Sequence, residues 1–137
     1  MSGASTRFDP AEFVRSASRA ASGSSEADYR TAAGRAYYAV YGAMRERLCG
    51  AKATTPSKLF GTKGRHGEVH RPMATLSSFK KLSPAYNGLL TLRTSSDYVY
   101  TVAIDRTAAL SAVDQAKWLL GELSKIPDAD FKAHPIS

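Results

Sequence analysis

Between Tyr29 and Leu48 the apolar positions Tyr29, Ala33, Tyr37, Val40, Met44 and Leu48 follow one another at spacings of 4, 4, 3, 4 and 4 residues. That is one face of an α-helix. Ala32, Ala36, Ala39 and Ala43 lie among them, so the helix is apolar on more than one side and neighbouring backbones can approach closely. Such a helix belongs at the centre of a bundle. Upstream, Asp9-Pro10-Ala11-Glu12 reads as a helix start, with an acceptor at the N-cap, proline in the first position and Glu after it. The pattern predicts a first helix over Pro10–Ala21, with Phe13, Val14, Ala17 and Ala20 inward. Gly23-Ser24-Ser25 breaks it, Ser25 or Glu26 opens the central helix, and Gly50 stops it. The short connection makes the two helices antiparallel neighbours.

Residues 51–65, rich in Thr, Ser, Lys, Gly and Pro, read as loop. His66–Ser78 reads as a short helix that Pro72 must start or kink. Ser83-Pro84 opens a third long helix carrying Tyr86, Leu89, Leu90 and Leu92. Thr94-Ser95-Ser96-Asp97 are weak helix formers, and Tyr98 to Val102 alternates aromatic and β-branched residues, so a distortion or end is expected near Ser96. Asp105 caps a last helix running through Ile126, stopped by Pro127, with Ala109, Val113, Ala116, Leu120 and Leu123 inward and Trp118 facing elsewhere. The expectation is an all-α, up-and-down four-helix bundle with one short extra helix. It fills residues 9–126 as a single domain, between a flexible N-terminus at 1–8 and a tail at 127–137.

Length and composition fit this: 137 residues, 43% hydrophobic and 23% charged, are ordinary for one globular domain. No apolar run reaches the roughly 20 residues of a membrane span, and the polar, acidic start MSGASTRFDPAEF has no signal-peptide core. A single cysteine, Cys49, excludes an internal disulfide and fits a reducing, cytoplasmic setting. The net charge of +7 is uneven. Between Gly50 and Lys81, seven basic residues, among them Lys63, Arg65 and Arg71, face the single acid Glu68. Such a field favours phosphate-rich partners, nucleic acid first, although a merely solvated basic loop has the same composition.

The candidate chemistry centres on Arg93. On a continuous helix Asp97 is four residues on and Tyr100 seven, so the three share a face. Tyr98, five on, is turned away by roughly 140°. An Arg beside a carboxylate is commonly a structural ion pair, yet a guanidinium also suits phosphate because its donors form a planar fork. Arg35 lies inside an apolar stretch and needs a partner, either Asp97 or a phosphate. Tyr37, Tyr38 and Tyr41 read as core or as base-stacking rings. His66 and His70 are four apart, and Arg65-x4-His70 spells an Arg–His pattern before the third long helix. The pair lacks the further ligands of a metal site, so neither metal nor cofactor is expected.

Gly34-Arg35-Ala36-Tyr37-Tyr38-Ala39-Val40-Tyr41-Gly42-Ala43 resembles the S-R-A-Y-Y-A-x-F-H-A signature of HEPN-domain proteins. Leu92-Arg93-Thr94-Ser95-Ser96-Asp97-Tyr98-Val99-Tyr100 is similar to their second block. That block carries an Arg-x4–6-His ribonuclease motif in active members, and reads Arg-x4-His-x-Tyr in toxins partnered with a minimal nucleotidyltransferase. The matching positions are Arg93, Tyr98 and Tyr100, and the resemblance spans about residues 26–126. It departs at Gly34 (Ser in the signature), at Gly42 (His) and at Tyr98 (the motif His). The resemblance implies a homodimer with a composite cleft at the Arg-motif helices. It also implies metal-independent RNA chemistry of toxin–antitoxin or defence type, with Arg93, Asp97, Tyr98 and Tyr100 at the catalytic position. Nucleic acid would be held by Arg35, Lys63, Arg65, His66, His70 and Arg71. Cleavage needs a proton carrier, and a phenol with a pKa near ~10 is a poor one at neutral pH. Two readings therefore stand: a ribonuclease with an altered Arg-x4-Tyr-x-Tyr site, with His66 and His70 as substitute proton carriers, or a non-catalytic nucleotide-binding or adaptor module paired with a nucleotidyltransferase-like protein.

Overall fold

The computed structural model describes residues 8–50 and 66–132. It is all-helical: α1 (Glu12–Ala21), α2 (Glu26–Gly50), α3 (His66–Thr75), a 3-10 turn (Ser77–Phe79), α4 (Ser83–Tyr98), α5 (Arg106–Leu123) and α6 (Asp128–Lys132). Among the described residues there is no strand. Helix α2 is the centre, packing against α1, α4 and α5 and more lightly against α3 and α6. Its buried positions include Ala32, Ala36, Tyr37, Val40, Met44 and Leu48, on several sides, which is why its apolar pattern spills beyond one stripe.

The local signals explain most of the boundaries. Asp9 accepts the Ala11 N–H on its carboxylate at 3.0 Å, and three consecutive i→i+3 bonds from Glu12, Phe13 and Val14 form a tight first turn. Regular α1 therefore begins at Glu12, two residues after the proline. Of its expected inward residues Ala17 is buried, Phe13, Val14 and Ala20 are half-buried, and Ala21 is buried as well. At the start of α2, Ser25 Oγ accepts the Asp28 N–H at 3.1 Å and Asp28 accepts the Ser25 N–H at 3.4 Å, a reciprocal cap. Asp105 does the same work for α5, accepting the Ala108 N–H at 2.9 Å.

Three expectations are corrected, the end of α3, the end of α5 and the tail. Pro72 lies inside α3, which ends at Thr75; the 3-10 turn takes up Ser77–Phe79. Its missing N–H removes one helical bond, while Val69, Pro72 and Met73 are buried together on the face toward the core. Helix α4 ends at Tyr98, near Ser96 as expected, and its weak formers gain partners up to that point: Thr94 Oγ1 turns back to the Leu90 carbonyl at 2.9 Å, and Arg30 binds the carbonyls of Ser95 and Ser96 at 3.0 Å each. Helix α5 ends at Leu123 rather than Ile126, and Leu119 replaces the half-buried Leu120 in its inward stripe. Trp118 is exposed, as its position off that stripe implies. Beyond Pro127 the chain forms α6, whose Phe131 is fully buried against Phe79 at a ring distance of 5.0 Å. A buried Phe is worth roughly 1.5–3 kcal/mol, so the core extends past residue 126. No helix among the described residues is long and apolar enough to cross a membrane.

Candidate functional site

The C-terminal end of α4 leaves carbonyls without helical partners, and an arginine from α2 answers them. Arg30 donates through Nη1 to the carbonyls of Ser95 and Ser96 at 3.0 Å each and of Val99 at 3.4 Å, and through Nη2 to the Val102 carbonyl. Its Nε bonds Glu26 at 2.9 Å. Glu26 in turn accepts the Ile104 N–H at 3.3 Å, so the turn from 99 to 105 is tied to α2 at both ends. The Glu26 carboxyl is held below its ordinary value, first by the Arg30 hydrogen bond and then by the Ile104 N–H.

One turn back along α4, Arg93 enters a cluster of tyrosines. Its Nη2 donates to the Tyr38 hydroxyl at 2.8 Å, and its Nε lies 3.0 Å from Asp97 Oδ2. That ion pair is close, but it lacks the alignment of a hydrogen bond. The guanidinium stands 5.6, 5.4 and 5.5 Å from the ring centres of Tyr37, Tyr38 and Tyr98. Desolvation works against its charge, yet Tyr38, Asp97 and Tyr98 outweigh it and raise its pKa above the ordinary arginine value. The cluster therefore keeps a permanent cation half-buried among rings. Arg30 repeats the motif one step outward, 5.6 Å from the ring centre of Tyr100.

Beside Arg30 opens a cleft of about 300 Å³ lined by Arg30, Thr31, Gly34, Arg35, Tyr38 and Asp97. It joins the first expected block, through Gly34, Arg35 and Tyr38, to the second, through Asp97. Gly34 contributes open wall: a Cβ there would meet only Asp97 Oδ1, at 3.9 Å. Arg35 is not the buried charge its apolar surroundings suggested. It is exposed and donates to the Ser16 hydroxyl, and among the described residues no carboxylate pairs with it. Asp97 is instead the partner of Arg93. Tyr98 and Tyr100 are not part of this lining; they lie over Arg93 and Arg30 and are 65% and 79% exposed.

His70 lies on the inner side of the same cluster. Its Nε2 is 2.8 Å from the Tyr37 hydroxyl, and its ring packs edge-on against Tyr37, Tyr41 and Tyr86. Tyr37 thus stands between His70 and Arg93, so this histidine supports the tyrosine layer rather than facing the cleft. Burial pushes the Tyr37 phenol up to about 12 and raises those of Tyr41 and Tyr86 too. The three stay protonated at neutral pH, and Tyr37 and Tyr41 are core rings, while Tyr38 reaches the cleft. Arg71 is exposed on α3. Lys63 and Arg65 lie outside the described residues, as does the side chain of His66 at the start of α3. Among the described residues no cluster of His, Cys, Asp and Glu could hold a metal ion.

The structure brings together Arg93, Asp97, Tyr98, Tyr100 and Arg35 at one end of the molecule, with His70 one ring behind. Arg30 escaped sequence reasoning, because Glu26 and Arg30 look like an ordinary surface pair four residues apart on a helix. Gly42, where the HEPN signature has His, has a packing reason: a Cβ there would lie 2.8 Å from Pro10 Cβ, so α1 could not enter as it does. In comparisons with known proteins, no family model, no curated protein and no solved structure matches the chain.

Proposed function

We propose that this is a HEPN-like, RNA-interacting protein of toxin–antitoxin or defence type, whose helices α1, α2, α4 and α5 form an up-and-down bundle and whose RNA site is the end of α4. The observation that carries this reading is Arg93. Its guanidinium is fixed by three ring faces and by Tyr38 and Asp97, and those two partners line a cleft that also holds the exposed Arg35, with which no carboxylate pairs among the described residues. A fixed guanidinium and an exposed one bonded to a neutral hydroxyl suit a phosphodiester in orientation and in charge. The protein works as a cytoplasmic homodimer, and its protein partner is a nucleotidyltransferase-like antitoxin.

A specific observation favours the non-catalytic form, a nucleotide-binding or adaptor module. The exposed position beside Arg93 holds a phenol, Tyr98, and the nearby imidazole of His70 is turned inward onto Tyr37. Among the described residues, the cleft therefore holds no imidazole to exchange protons readily near neutral pH.

The test is binding of a labelled single-stranded RNA by wild type, Arg93→Ala and Arg35→Ala, with incubation on total RNA in the presence of a chelator. Arg35→Ala, at an exposed position, should lower affinity and flatten the salt dependence by about 0.7 log–log unit per lost phosphate contact. Unchanged affinity and slope in both variants would remove the α4 end as an RNA site. Sedimentation at micromolar concentration should give the mass of two protomers.

A further inference from the structure

The exposed rings at the end of α4 are held in an unusual way. Tyr98 and Tyr100, two residues apart, each lie over a different guanidinium, Arg93 at 5.5 Å and Arg30 at 5.6 Å. Neither arginine is free to follow its ring. Arg93 is tied to Tyr38 and Asp97, and Arg30 to four main-chain carbonyls and Glu26. Each ring therefore rests on a fixed charged post while most of its surface stays in water, 65% for Tyr98 and 79% for Tyr100. An exposed phenol ring is normally disordered over rotamers, and binding must then bear the entropy of ordering it. Here the posts lower that cost beforehand. Arg30 also neutralises the helix end, whose carbonyls would otherwise repel a phosphate.

Resting on the reading of the cleft as an RNA site, the geometry points to Tyr98 and Tyr100 as two consecutive base-stacking platforms, so that the ligand is a single strand with unstacked bases. Arg35 supplies the phosphate contact from the cleft beside them. The posts make the ring faces rigid, and a base stacks on a ring face whatever its sequence. A duplex keeps its bases in its own stack and cannot use them. Arg30 is on this account a positioning residue: it sets Tyr100 and the turn after α4, and touches no base.

The experiment measures anisotropy of fluorescein-labelled oligonucleotides of equal length: oligo-A, an abasic strand with the same phosphates, and a duplex. Wild type should bind oligo-A on the order of a hundredfold more tightly than the abasic strand, as expected for two stacked bases. Tyr98→Ala and Tyr100→Ala should each lose about tenfold on oligo-A and nothing on the abasic strand. Tyr98→Phe and Tyr100→Phe should restore most of that loss, because the ring and not the hydroxyl does the stacking. Arg30→Lys, which keeps the charge but not the fork of donors, should weaken oligo-A more than the abasic strand. If the abasic strand binds as well as oligo-A while Arg35→Ala still weakens both, the stacking proposal is overturned and the RNA reading stands. If no strand binds, both fall. If the double Tyr98→Ala, Tyr100→Ala variant loses affinity by becoming a monomer in sedimentation, the rings are an interface between copies and the proposal is overturned.

Discussion

Arg47 and Arg93 are built from the same three ingredients, an arginine, an aspartate and aromatic rings, in two regions of the molecule, and they hold different partners. Arg47 donates to the carbonyls of Leu123, at 2.7 Å, and of Ile126, pairs with Asp128 at 3.1 Å, and stacks 4.3 Å from the fully buried Phe131 ring. Its donors close the end of α5 onto α6. Arg93 bonds only side chains among the described residues, and one of its rings, Tyr98, lies mostly in water. Accessibility of the arginine itself does not separate them: Arg93 is 17% exposed and Arg47 27%. The partners separate them. Main-chain acceptors and a buried ring make Arg47 a structural clamp, whereas side-chain acceptors and an exposed ring leave Arg93 open to the role proposed for it.

The sharpest way to test this difference is to give the open cluster the group it lacks. Tyr98→His places an imidazole, with an unperturbed pKa near ~6.5, beside a fixed guanidinium. If the α4 end is a HEPN-type site, metal-independent RNA cleavage should rise by roughly 10²–10⁴-fold, the usual worth of general acid–base help. Adding Arg93→Ala should return it to background. Robust cleavage by wild type that Tyr98→His slows would mean that the proton carrier lies elsewhere, with His70 the first suspect.

Exchanging each arginine for alanine should then split stability from binding. Arg47→Ala strands the Leu123 and Ile126 carbonyls and uncovers Phe131. The expected loss is about 2–4 kcal/mol in denaturant unfolding, with RNA affinity of the folded protein unchanged. Arg93→Ala should cost about 1–2 kcal/mol and most of the affinity. Equal stability losses with equal affinity losses would erase the distinction between clamp and site.

Two glycines of α2 carry the comparison down to single methyl groups. At Gly42 a Cβ would sit 2.8 Å from Pro10, so Gly42→Ala should destabilise by about 1–3 kcal/mol through overpacking. At Gly34 the nearest atom is Asp97 Oδ1 at 3.9 Å, ordinary contact. Gly34→Ala should therefore stabilise by about 0.5–1 kcal/mol, the helix-propensity gain, while narrowing the cleft. A raised melting temperature for Gly42→Ala would contradict the Pro10 contact, and a lowered one for Gly34→Ala would contradict the open space at Gly34.

Much of this was legible along the chain. The 4-and-3 spacing of α2 and the cap at Asp105 each follow from local chemistry, and so does the pair of Arg93 with Asp97 four residues on. What was illegible depends on partners far away in sequence. Arg30 finds acceptors 65 to 72 residues on, and nothing in its own helix turn foretells them. Those contacts also give partners to the weak helix formers at the end of α4. Phe131 follows a proline and looks like tail until Phe79 and Arg47 are seen to cover it. His70 matched a motif by spelling, but the tyrosines of α2 and α4 turn its ring inward.

The smallest expected effect concerns the acid that steadies Arg30. Glu26 has its carboxyl pKa lowered from 4.5 by the Arg30 hydrogen bond and the Ile104 N–H. A carboxyl depressed in the folded state stabilises fully above its unfolded pKa and loses that contribution as pH falls through its folded value. Melting temperatures of wild type and Glu26→Gln should therefore differ by a constant amount from pH 7 down to about 5. The difference should then shrink below pH 4.5 as the wild-type carboxyl takes up its proton. Glu122 is the comparator, since its carboxyl is lowered too, by Lys81 and Lys125, in the last turn of α5, whereas the turn that Arg30 holds precedes its first. Glu122→Gln should show the same pH dependence of stability with no change in amide exchange at residues 99–102. Glu26→Gln should speed that exchange at neutral pH. If the Glu26→Gln difference persists unchanged to pH 3, the carboxylate charge is irrelevant to the turn, and Arg30 holds the end of α4 through main-chain carbonyls alone.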